Sequence, residues 1–106
     1  MSRTVYRYSV DFVDVVTLPK LPVDAKILHV DYEKGSNPFN LSVWVLLNKD
    51  DLTHDEKSLI ARRIRIVGTG GNIDRPLREG DDIRFINTFF VDKFAPLVFH
   101  AFEVLE

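Results

Sequence analysis

Cysteine is absent from these 106 residues, which excludes disulfides and any thiolate-held zinc site. Glycine and proline are sparse, at five each, too few for a collagen-like or low-complexity chain. No sign of charge dominates: 14 Lys and Arg stand against 16 Asp and Glu, a net charge of −2. A general nucleic-acid binder is usually basic, so that class is set aside. Long apolar runs are missing as well. The longest clean one, Val43-Trp44-Val45-Leu46-Leu47, is far too short to cross a bilayer. The opening residues, Met1-Ser2-Arg3-Thr4, lack the apolar centre of a signal peptide. The expectation is a cytoplasmic chain with no membrane attachment.

What is present is globular usage, 45% hydrophobic and 28% charged. One domain over residues 1–106 can bury a core without a metal or disulfide staple. β-Branched and aromatic residues cluster between turn residues at about seven places, predicting strands at 4–10, 12–18, 25–33, 41–48, 62–67, 82–91 and 97–105. Between 48 and 61 the pattern breaks, and Thr53 followed by Glu56 matches a capping box ahead of Leu59 and Ile60. One short helix at most is expected there. Turns are signalled by Lys34-Gly35-Ser36-Asn37-Pro38, by Gly68-Thr69-Gly70-Gly71-Asn72 with four potential left-handed positions, and by the short linker 92–96. Many short strands and almost no helix predict an all-β, mainly antiparallel fold, a small sandwich or barrel.

Several strands are apolar on both faces. Val43, Val45 and Leu47 alternate with Trp44 and Leu46, and six of the eight phenylalanines fall between Phe85 and Phe102. An antiparallel sheet normally keeps one face in water, so the second face needs a cover. A homo-oligomer, a symmetric dimer first, would supply it. The alternative is a closed barrel hiding one face, with segment 50–61 over the other.

Catalytic spacing is absent. Ser9, Ser36, Ser42 and Ser58 lack a strained nucleophile turn. His29, His54 and His100 have no metal-ligand spacing, and the strand histidines His29 and His100 read as structural residues with satisfied hydrogen bonds. Asp50-Asp51 and Asp81-Asp82 are acidic pairs of solvated loops. No metal and no cofactor is expected. One constellation stands above this background: six of the eight arginines lie between Arg62 and Arg84. Arg63 and Arg65 share a strand face, and Gly68, Thr69, Gly70, Gly71 and Asn72 follow as a turn whose backbone N–H groups could cradle a phosphate. Trp44 and Tyr6 are the candidates to stack a base beside it. The plainer alternative is a hairpin turn beside an arginine face neutralised by Asp74, Glu79, Asp81 and Asp82.

Taken end to end, Thr4-Val5-Tyr6-Arg7-Tyr8, Leu21-Pro22, Ala25-Lys26-Ile27-Leu28-His29-Val30, Val43-Trp44-Val45-Leu46, Arg63-Ile64-Arg65-Ile66-Val67-Gly68-Thr69-Gly70, Ile86-Asn87-Thr88-Phe89 and Leu97-Val98-Phe99-His100-Ala101-Phe102-Glu103 resemble an uncharacterised family of small phage- and prophage-encoded proteins. Two departures stand out: the resembling proteins commonly carry a histidine after Gly-Thr-Gly, where this chain has Gly71, and segment 50–61 is longer here. The resemblance implies a phage context and no known activity. The leading expectation is a non-enzymatic phage accessory protein that binds a host factor or a small ligand. In its sharpest form, the protein counters host defence by sequestering a phosphorylated nucleotide signal at a subunit interface. The rivals are a minor virion or assembly protein, and an enzyme with an intersubunit site using His29 or His100 as base.

Overall fold

In the computed structural model the described residues are 3–33, 40–48, 59–91 and 97–105. The predicted capping box at Thr53 and Glu56, the turn at 34–38, the linker 92–96, His54 and Ser58 lie outside them. The strands are β1 (Arg3–Asp11), β2 (Val15–Thr17), β3 (Leu21–Pro22), β4 (Lys26–Tyr32), β5 (Asn40–Asn48), β6 (Leu59–Ile60), β7 (Arg63–Gly68), β8 (Asp82–Val91) and β9 (Leu97–Leu105). No helix occurs among the described residues. All seven predicted strands are present, but the one expected at 12–18 shrinks to three residues, and the two-residue β3 and β6 pair with each other.

Two antiparallel sheets, β1-β5-β4 and β2-β7-β9-β8, form the body of the fold, with β3-β6 as a third, two-stranded sheet. They stack as an open sandwich, and the barrel alternative is not what forms. The period-two pattern decides which residues meet. Leu41, Val43, Val45 and Leu47 of β5 face Ile64 and Ile66 of β7, Ala101 of β9 and Phe89 and Val91 of β8 in one buried cluster. Each aliphatic side chain fully removed from water there contributes roughly 1.5–3 kcal/mol. Phe12, expected within a strand, sits in the crossing from β1 to β2. Its ring makes edge contacts with Phe99 at 4.9 Å, Phe89 at 6.1 Å and Tyr32 at 6.5 Å.

The sheets are also joined along one seam. Edge strand β4 turns the N–H and C=O of Val30 away from β5, and Asn87 of β8 takes both. Its Oδ1 accepts from Val30 N and its Nδ2 donates to Val30 O, each at 2.8 Å. Ladder irregularities on either side, between Ile27 and His29 and between Phe85 and Asn87, bring the amide into reach. Two backbone groups that the strand edge would otherwise present unpaired are thereby satisfied by one side chain.

Candidate functional site

The arginine-rich stretch is taken apart by strand geometry. Six residues of β7 span about 17 Å at roughly 3.3 Å per residue, so Arg62 and Arg63 stand at one end of the sandwich and Gly68 at the other. Arg65 keeps its predicted face but not a ligand-facing guanidinium. The residue is only 5% exposed. Its Nε donates to Ile73 O at 3.0 Å, and its terminal nitrogens donate to Asn72 O at 2.8 Å and Asp14 O at 3.2 Å, as well as to Ile66 O. Arg63 donates to both carboxylate oxygens of Asp81 at 3.2 Å. Both phosphate candidates therefore hold the connection 69–81 against the outer face of β7.

The glycine turn is equally occupied with its own chain. Of its four potential left-handed positions only Gly70 has positive φ, at 87°, and the N–H groups of Thr69 and Gly71 donate to Val98 O and Gly68 O. Gly71 packs so closely that an added Cβ would lie 2.8 Å from Val67 Cγ2. Any side chain at this position would need Val67 or the turn to shift. Asn72 closes the turn locally, its Oδ1 accepting from the N–H groups of Asp74 and Arg75. A hydrogen bond from the N–H of Arg78, followed by Arg63, holds the Asp81 carboxyl below its usual range.

The stacking candidates are not brought to this turn. Trp44 lies on the outer face of the β1-β5-β4 sheet, paired across β5 with Arg7 and His29, its ring 5.5 Å from that of His29. The turn belongs to the opposite sheet. Tyr6 points the other way from Trp44 and packs against the core. Near Trp44, a hydrogen bond from Ser42 at 2.8 Å, with further help from Ser9 and Arg7, lowers the Glu33 carboxyl.

His100 sits between two hydroxyls on the outer face of β9, Thr69 Oγ1 at 2.8 Å from Nε2 and Thr88 Oγ1 at 2.8 Å from Nδ1. A neutral imidazole meets such neighbours as one donor and one acceptor. No carboxylate or arginine bonds it among the described residues, and no group of metal-binding side chains occurs among them. Around it spreads an aromatic face: Phe85 lies opposite Phe102 with rings 5.6 Å apart, and Phe90 opposite Val98. Phe85 is 57% and Phe90 64% exposed.

The second assembled site was not legible as such in the sequence. At the end of the sandwich away from the glycine turn, Glu103 of β9 is buried between two arginines. Arg62 donates to its Oε2 at 2.9 Å and Arg84 to its Oε1 at 2.5 Å. Arg62 also donates to Val23 O at 2.7 Å. An open cleft of about 710 Å³ lies over this group, lined by Lys26, Arg62, Arg63, Arg84 and Glu103 with the apolar Val23, Ile60 and Leu105. The only signal was the clustering of arginines between 62 and 84. Glu103 carried none, because its role depends on the register that sets Arg84 opposite it.

None of the curated proteins and none of the solved structures compared with this chain matches it. A family model described as Domain of unknown function (DUF7352) matches residues 1–106, and the chain belongs to that uncharacterised family.

Proposed function

We propose that this chain is a non-enzymatic binding protein that works as a homo-oligomer, a symmetric dimer joined through the outer face of β8 and β9. The supporting observation is the exposure of Phe85 and Phe90 on a face that the described residues leave bare. The outward residues there, Phe85, Thr88 and Phe90 of β8 with Val98, His100 and Phe102 of β9, carry no carboxylate, lysine or arginine. A neutral apolar face meets its own copy without like-charge repulsion, and a two-fold axis pairs the same patch on both subunits. Binding is favoured over catalysis because His100 hydrogen-bonds hydroxyls alone among the described side chains, leaving it without the carboxylate that orients a general base.

The resemblance to phage- and prophage-encoded proteins supplies the setting of this reading: an accessory protein acting in the host cytoplasm on a host factor or small ligand. Sedimentation at micromolar concentration is expected to show a dimer, and Phe90→Asp to convert it to a folded monomer. A wild-type chain that stays strictly monomeric at those concentrations removes the reading.

A further inference from the structure

The cleft at the Arg62 end has the composition of a ligand site, and its charges do not cancel. Arg63 is matched by Asp81, outside the lining. The remaining cations are Arg62, Arg84 and Lys26, against the buried Glu103 and the exposed Asp24. Lys26 has no ion pair among the described residues. Arg62 is 8% exposed, and its Nε is a buried donor without an acceptor.

Glu103 is 2% exposed and bridges the two guanidinium groups with separate oxygens. That bridge fixes their positions while leaving each arginine further N–H groups, since a guanidinium carries five. Arg84 keeps 59% of its side chain in solvent. Val23, Ile60 and Leu105 supply apolar lining to the same cleft. The volume, about 710 Å³, is that of a small-molecule pocket.

We propose that this cleft binds a phosphate-bearing small molecule, its phosphate held by Arg84, Lys26 and Arg62 and its apolar part laid against Val23, Ile60 and Leu105. Phosphate is favoured over carboxylate because the donors come from three separate segments, Lys26 from β4, Arg84 from β8 and Arg62 from just before β7. Such a set suits a tetrahedral anion with three free oxygens better than a planar one with two. Glu103 already provides the planar partner. The proposal stands apart from the dimer reading, since no residue of the aromatic face lines the cleft.

Phenyl phosphate is the probe, with inorganic phosphate and benzoate as comparators, followed by calorimetry and by amide chemical shifts of the full chain. Saturable binding of phenyl phosphate is expected, tighter than that of either comparator. The shifts should fall at 61–63, 84 and 103–105. Arg84→Ala and Lys26→Ala should each weaken binding about tenfold or more, the loss of one charge-assisted contact. Thermal melting should stay near wild type in Lys26→Ala, whose side chain is exposed, and fall in Arg84→Ala, which also takes a partner from the buried Glu103. Lys26→Ala therefore separates lost binding from lost stability. Asp24→Asn, which removes a repelling carboxylate at the lip, should tighten it about two- to threefold. No saturation up to about 5 mM, a weaker affinity than most specific ligands show, overturns the proposal. So does unchanged affinity in Arg84→Ala, equal binding of benzoate, or shifts confined to 68–72.

Discussion

The outer face of β7, with Arg63, Arg65 and Val67, and the outer faces of β8 and β9, aromatic and uncharged, belong to one sheet and end in different environments. On β7, Arg65 and Val67 are 5% and 6% exposed, because residues 69–81 fold back over them. On β8, Phe85 and Phe90 remain more than half exposed. The difference lies in the return of the chain after β7. Gly70 lets it reverse direction there, and Arg65 and Arg63 then hold the returning segment by its carbonyls and by Asp81. The bare neighbouring face has no comparable clamp among the described residues. Excess apolar surface thus does not by itself demand a partner: the chain's own loop covers Val67, and Phe85 and Phe90 are what is left for the proposed dimer.

The largest test of that contrast is Arg65→Ala. Removing a buried guanidinium that bonds several carbonyls should destabilise the fold by about 2–4 kcal/mol. Amide exchange should accelerate through 69–81 before it does in β9. Wild-type stability and exchange would mean the loop holds itself down without the clamp.

Asn87→Ala probes the inner side of β8, where the strand is anchored although its outer face is bare. It leaves Val30 N and O unpaired at a part-buried seam, and a loss of about 1–3 kcal/mol is expected by denaturant unfolding. Asn87→Asp keeps the acceptor but loses the donor and should recover only part of it.

Phe90→Asp should change the stability of the subunit by no more than about 0.5 kcal/mol, as exposed positions usually do, while abolishing self-association. A large loss of subunit stability would show Phe90 to be part of the fold instead of its meeting surface. The smallest effect is that of pH. Asp81 is held below its usual range in the folded chain, so its contribution is complete above the unfolded aspartate value, near about 3.9, and fades as pH falls from there through the lower folded value. Protection of 69–81 should therefore weaken in acid, and Asp81→Asn should remove that pH dependence.

Most of the fold was readable, because alternation fixes a strand's faces before any partner is known. Val43, Val45 and Leu47 had to point together, and they do. The strand over 12–18 was overestimated because Phe12 has strand-like chemistry but serves as the plug of a crossing. β3 and β6 were missed because a two-residue pairing leaves no period to detect. The site was legible only as a concentration of arginines. Arg63 and Arg65 were expected to act together on a ligand; two residues apart on one strand, they share a face, but a returning loop occupies it.

By its own pattern the sequence determined an all-β chain of antiparallel strands, a greasy C-terminal pair and a local excess of arginine, since each is a property of neighbouring residues. Tertiary structure alone decided that Glu103 would draw Arg62 and Arg84 into one cleft while Arg65 turned to the loop 69–81. Ion pairs between distant positions depend on strand register and on which segment folds over which face, and neither is encoded by any stretch of sequence shorter than the sheet itself.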